Sequence, residues 1–250
     1  MNFPKTIKTK LYLYFTNKIP FETIYITGLI RDQNGHKMSK SKGNVIDPID
    51  LIDGISLKDL ISKRTSGLMQ PEMAEQIKKN TIKEYPHGIE AAGTDAVRFT
   101  FCALASTGRD IRFDSQRLIG YRNFCNKLWN ACRYLQQSLV DDQSSIPATQ
   151  QPQHFINQWI TNELVELIQQ INQHLDNYRF DLLAKCLYEF TWYQYCDWYL
   201  EWSKTLLESS NSNQLKQETQ HTLLNIMSHL LRLLHPIIPF ITDSLWSSSE

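Results

Sequence analysis

From Ser115 onward, apolar residues recur at helical spacing for most of the remaining chain, and this restricts the fold more than any other feature. Leu118, Tyr121, Cys125, Leu128, Cys132 and Leu135 fall at steps of three and four, one apolar stripe of a long helix over residues 115–137. Arg122, Asn123, Asn126, Lys127, Asn130 and Arg133 fall between them, so the other face is polar and basic. Three more helical segments follow: one through Trp159, Leu164, Leu167, Ile171 and Leu175, one over residues 180–207 with dense aromatics, and one through Leu223, Ile226, Met227, Leu230 and Leu234. Consecutive amphipathic helices hide their stripes by packing on one another, which predicts a bundle. Gln, Ser and Pro dominate residues 138–153 with Asp141 and Asp142, a linker between two helical units.

The first half reads differently. Thr23 to Thr27 are β-branched or aromatic and end at Gly28, the pattern of a short buried strand. Asp32-Gln33-Asn34-Gly35 has turn chemistry. Asp47-Pro48 opens a helix, with the acid as cap and the proline in the first turn. Residues 54–90 read as short helices in an insertion-like excursion, and Thr94 or Asp95 as the cap of a helix through Ala96, Val97, Phe99 and Leu104. Charge divides along the chain: residues 1–133 carry 21 Lys and Arg against 13 Asp and Glu, a net +8, and the remainder carries −8. A basic first half suits a polyanionic partner or a phosphate-rich ligand.

Five cysteines, none in a C-x-x-C pair, read as free thiols in a reducing cytosol and offer no zinc site. No apolar run approaches the roughly 18–20 residues that span a bilayer. The basic start before Leu11 to Phe15 fails as a signal peptide, because the run is short and Asn17-Lys18 follows it. The expected location is cytoplasmic, with no membrane partner.

The chemistry concentrates in Gly35-His36-Lys37-Met38-Ser39-Lys40-Ser41-Lys42-Gly43-Asn44. Three lysines with small hydroxyl residues and flanking glycines make a cationic loop that can follow charge moving between phosphates. Taken alone, a lysine-rich loop is more often a solvated turn or a nucleic-acid patch. The stretch from Lys37 through Met38, Ser39, Lys40, Ser41, Lys42 and Gly43 to Asp47-Pro48 resembles the second signature of class I aminoacyl-tRNA synthetases, twelve positions that rarely coincide by chance.

That resemblance implies a fold: the end of a Rossmann-type nucleotide-binding fold followed by a helical anticodon-binding bundle, mainly α overall. It implies ATP, with Mg²⁺ carried on its phosphates, bound by Lys37, Met38, Ser39, Lys40 and Ser41, with Lys37 and Lys40 stabilising the departing pyrophosphate. Gly93-Thr94-Asp95-Ala96-Val97-Arg98, Ala103 to Ile111, Gly120 to Asn130 and Lys63-Arg64-Thr65-Ser66-Gly67 resemble the valine-specific branch. His235-Pro236 with Pro239-Phe240-Ile241-Thr242 resembles a motif of the anticodon-binding bundle. The implied reaction is ATP-dependent attachment of valine to tRNA(Val) through valyl-adenylate.

The expected organisation is an atypical segment over 1–22, the loop with its connecting helices over 23–137, the linker, and the bundle over 154–250. Residues 1–18 show no family pattern, and no His-x-Gly-His signature occurs, so the chain reads as an incomplete piece, inactive alone. A non-catalytic tRNA-binding or partner-binding module built from the same parts is the rival reading, and an unproductive remnant a third. Trp129, Phe124 and the aromatics from Tyr188 to Trp202 are expected in the core, and His36 exposed and outside the chemistry. Arg98, Arg109, Asp95 and Asp110 are expected as structural ties. Arg122, Lys127 and Arg133 either meet a tRNA backbone or are simply solvated.

Overall fold

The computed structural model describes residues 7–68, 70–106, 108, 110–138, 151–209 and 212–247. After helix α1 (Ile7–Thr16), strand β1 (Ile30–Arg31) pairs in parallel with β2 (Ile111–Arg112). Between the strands lie α2 (Pro48–Asp53), α3 (Leu57–Thr65), α4 (Ala74–Glu84) and α5 (Thr94–Leu104). After β2 come α6 (Ser115–Ser138), α7 (Phe155–Asp176), α8 (Phe180–Glu189), a π-helical stretch Phe190–Tyr199, α9 (Leu200–Ser209), α10 (Asn213–Leu234) and α11 (Pro239–Ser247).

The strand expected over 23–27 is instead the two-residue β1, a few positions later. A strand exists only where a ladder partner exists. Ile111 N–H donates to the Leu29 carbonyl at 2.8 Å and Phe113 N–H to that of Arg31 at 3.0 Å, and no strand pairs with residues 23–27 among the described residues. Tyr25 packs its ring against Tyr178 and Phe180 instead.

Helix α2 starts as its sequence dictates: Asp47 accepts from Ile49 N–H at 3.0 Å, with Pro48 in the first turn. The excursion folds as a hairpin of α3 and α4, pinched at its base where Ile55 and Ile89 exchange two backbone hydrogen bonds of 2.9 Å. Gly88, at φ +81°, sits at that pinch, where a Cβ would lie 2.3 Å from the Ile55 carbonyl oxygen. Arg64 is buried inside the hairpin, where it reaches Glu84 and Thr81 and lies over the Tyr85 ring.

Two apolar clusters organise the molecule. The larger joins Phe99 of α5 to α6 through α11, the bundle that the periodicity predicts. The smaller gathers Leu51, Ala96, Val97, Phe113 and Leu118, with Met38 and Ile46 against it. Residues 180–209 form one continuous helical run, but Phe190–Tyr199 are wound more widely than an α-helix. This winding brings Phe190, Tyr195 and Tyr199, at steps of five and four, into the core together. Tyr199 donates to the fully buried Asn157 at 2.8 Å, and Asn157 in turn donates to Glu218 and Thr219. Phe124 is core as expected, but Trp129, Tyr193, Trp198 and Trp202 are exposed, a correction to the expected placement. Trp129 follows the buried Leu128 directly, so one residue of rotation carries it to the outer face.

At α5 the cap is Gly93, not Thr94 or Asp95. Asp95 is used elsewhere: its two carboxylate oxygens accept from Phe240 N–H (3.3 Å) and Ile241 N–H (2.6 Å) at the start of α11. One turn on, Arg98 donates to the carbonyls of Ile237 (2.8 Å) and Pro236 (3.0 Å), just past the end of α10. Asp95, Arg98 and Asp110, three of the charged residues expected as ties, do not pair with one another: Asp95 and Arg98 clasp the α10–α11 corner and Asp110 pairs with Arg31, while the expectation for Arg109 lies outside the described residues. The linker expectation also falls outside them, apart from residues 151–153.

Replacing Asp95 by Ala leaves two N–H groups at the α11 start without their acceptor. We expect a loss of about 1–3 kcal/mol of unfolding free energy, read from urea unfolding followed by circular dichroism.

Candidate functional site

The lysine loop leaves β1 through a tight turn built on one carboxylate. Asp32 is 5% exposed, and its Oδ1 accepts from Asn34 N–H (3.0 Å) and His36 N–H (2.7 Å). Its Oδ2 accepts from the Asn44 amide at 2.8 Å. Burial pushes the Asp32 carboxyl up, but the Asn44 hydrogen bond, the backbone N–H groups and the nearby His36 outweigh it and hold the group below its usual 3.8. Asn44 then closes the loop on itself: its Oδ1 accepts from Ser39 N–H at 2.9 Å and its amide donates to the Lys37 carbonyl at 3.3 Å. Residues 32 and 44 thus bracket the signature and fix its two ends.

Inside that bracket the residues divide by side-chain direction. Met38 turns inward and packs on the smaller apolar cluster, which anchors the loop. Lys37, bridged to Arg31 in antiparallel fashion, is exposed, as are Lys40, Ser41 and Lys42 of the short 3₁₀ turn that follows. Ser39 and Ser41 share a hydrogen bond of 3.2 Å. Among the described residues, none of the three lysines has a carboxylate within ion-pair distance. The structure brings together all five residues expected at the site: two ammonium groups and two hydroxyls at the surface over one apolar anchor. Such a set can receive a polyphosphate. His36 is exposed, as expected.

Several other cations of the basic half are held by acidic partners. Lys63 spans Asp47 (2.8 Å) and Asp50 (2.7 Å), which holds its ammonium above its usual value and the Asp47 carboxyl below it. Arg122 pairs with Glu90 at 3.1 Å, and Lys127 pairs with Asp197 while lying over the Trp192 ring. Arg117 lies within 3.9 Å of Asp114, so three of the four cations on α6 have intramolecular acidic partners. Among the described residues, no three His, Cys, Asp or Glu side chains form a metal cluster. All five cysteines are free, and burial pushes Cys125 and Cys196 up to about 12, so neither is a nucleophile. No helix among the described residues is long and apolar enough to cross a membrane.

Sequence reasoning missed the roles of Asp32 and Asn44. Asp-x-Asn-Gly marks a turn, but that its acid reaches twelve residues on to a loop asparagine needs the folded geometry.

Comparison with known proteins gives concordant matches over both halves. The family described as tRNA synthetases class I (I, L, M and V) matches residues 7–114, and the anticodon-binding domain of tRNA ligase matches residues 157–250. The first match begins inside the segment that showed no pattern to sequence reading, so the likeness reaches further toward the N-terminus than expected. The chain is 51% identical over 238 residues to a valine–tRNA ligase of Legionella pneumophila, covering 95% of this chain and 26% of that protein. It is 52% identical over 246 residues to one of Xylella fastidiosa, covering 93% of this chain and 25% of that protein. The chain thus spans about a quarter of the length of these curated relatives. Among solved structures, a ternary complex of Agrobacterium radiobacter LeuRS with tRNA and LeuAMS overlays with a TM-score of 0.60 at 18% identity, over 96% of this chain and 24% of that one.

The Asp32 carboxylate is expected to support the loop above about pH 3.8, its ordinary value, and to lose that support as pH falls through its lower folded value. The His36 amide resonance should follow this acid-range titration in an NMR pH series, and Asp32→Asn should abolish it.

Proposed function

Since the chain belongs to the class I aminoacyl-tRNA synthetases, we propose that it supplies the lysine loop and the anticodon-binding bundle of a valine–tRNA ligase. The reaction is ATP-dependent attachment of valine to tRNA(Val) through valyl-adenylate, with Mg²⁺ arriving on the ATP phosphates, in the cytoplasm. The observation that carries this reading is the pair of exposed ammonium groups, Lys37 and Lys40, on a loop pinned by Asp32, Asn44 and Met38.

In adenylate formation a valine carboxylate oxygen bonds to the α-phosphorus of ATP, and the bond to the β-phosphate oxygen breaks. Negative charge grows on the departing pyrophosphate. Lys40, helped by Lys37, stabilises that charge, and Ser39 and Ser41 add hydrogen bonds to phosphate oxygens. The contribution is electrostatic and positional, with no covalent step by the enzyme. A loop pinned at both ends loses less freedom when phosphates arrive, so more of each contact goes to the transition state. The exposed aromatics, with Arg133 of α6, belong to the helical part that the reading assigns to tRNA.

The test is valine-dependent ATP–pyrophosphate exchange on the purified chain, with Lys40→Ala beside it. Exchange that falls by about 10²-fold or more in the variant supports adenylate chemistry at this loop. No exchange from a folded chain that still binds tRNA(Val) would instead mark it as a binding module.

A further inference from the structure

The α3–α4 hairpin meets the lysine loop at two places that neither the loop's chemistry nor the bundle requires. The first is Gly43, the residue that ends the 3₁₀ turn of Lys40 and Lys42. It adopts φ +62°, and a Cβ there would lie 2.4 Å from Ile77 Cγ2 and 2.9 Å from Ile77 Cδ1. Ile77, on α4, is 2% exposed, so the loop backbone rests directly on this buried side chain. The second is Lys63, on α3, whose ammonium spans the capping acid of α2 and the next acid on it, Asp47 and Asp50. Helix α2 is the continuation of the loop, so this bridge holds the loop's exit. Between the two contacts a cleft of about 480 Å³ separates loop from hairpin, with Lys40 on its wall. The hairpin is itself stiff, closed by the Ile55–Ile89 hydrogen bonds and filled by Arg64, Thr81 and Tyr85.

From this geometry we propose that the α3–α4 hairpin is a brace for the lysine loop, with Ile77 and Lys63 as positioning residues that set where Lys37 and Lys40 stand. Asp32 and Asn44 fix the loop from the strand side, and the hairpin fixes it from the helix side. The middle of the loop, over the cleft, keeps room to adjust to the phosphates. The inference rests on the reading of this loop as the ATP-phosphate loop, but the contacts themselves do not.

The experiment is amide hydrogen exchange by mass spectrometry on the full 250-residue chain, comparing residues 37–46 with α6 and α10 as internal references. Ile77→Ala and Lys63→Met should each raise loop exchange about tenfold while α6 and α10 stay protected, and Lys63→Arg should restore it. Gly43→Ala should raise loop exchange on its own, and adding Ile77→Ala to it should bring little further rise, because both break one contact. Unchanged loop exchange, additive effects of those two substitutions, or a rise spread equally over α6 and α10 would each overturn the brace. ATP binding by equilibrium dialysis, with Lys40→Ala as reference, is read in parallel. Binding weakened about fivefold in Ile77→Ala and Lys63→Met but not in Lys63→Arg supports the positioning role, and equal affinity in all of them overturns it. If the unaltered chain retains no ATP, the proposed function fails while the exchange pattern still decides the brace.

Discussion

Helix α5 belongs to both apolar clusters at once, and the arrangement of everything else follows from that. Ala96 and Val97 pack in the smaller cluster beneath Met38 of the lysine loop, while Phe99 is buried in the core of the bundle. The first two turns of the same helix also hold the α10–α11 corner through Asp95 and Arg98. The chemistry of this clasp is complementary. A carboxylate meets the N–H groups at one helix start, and a guanidinium meets carbonyls just beyond another helix end, each facing the sign of partial charge it prefers. Helix α6 runs alongside α5 between the same two clusters, with Leu118 in the smaller and Leu128 in the larger.

The distribution of charge supports the same division of labour. The basic first half has an excess of eight positive charges, but Arg31, Lys63, Arg64, Arg122 and Lys127 each have an acidic partner. Those pairs join elements distant in sequence and contribute modestly where they are exposed. The cations without such a partner among the described residues include Lys37, Lys40 and Lys42, all on ten residues of loop. The proposed phosphate-binding role calls for ammonium groups that nothing else neutralises, and Asp32, at the entry to the loop, is occupied by Asn44 and two backbone amides.

What the sequence made legible is what depends on near neighbours. The wording of the lysine loop is local, as are the α6 stripe from Leu118 to Leu135 and the Asp47 cap with Pro48, and the last two appear in the structure as read. Two of the failures share one cause, a partner far along the chain, and a third comes from local winding. Asp95 looked like a cap for its own helix because a partner 146 residues away cannot be seen in a window of ten. Thr23 to Thr27 had strand composition, but a strand also needs a ladder, and β2 faces Leu29 to Arg31. The aromatic run from Tyr188 to Trp202 looked like continuous core, yet its winding sends Tyr195 and Tyr199 inward and Trp198 and Trp202 outward. No α-helical periodicity could sort them, because the segment does not keep the α-helical period.

The same contrast bears on how a short signature can carry chemistry. Lys37 to Ser41 supply the charges and hydroxyls, but nothing in those five residues determines where they stand. Their placement comes from Asp32 before them, Asn44 after them, Met38 packed on the smaller apolar cluster, and Gly43 seated on Ile77. Gly43 is permitted there because it combines a left-handed φ with an approach too close for any Cβ, so flexibility and close packing are required at the same atom. On the proposed reading the signature supplies the reagent groups, and the surrounding packing decides whether they are held where phosphate chemistry can use them.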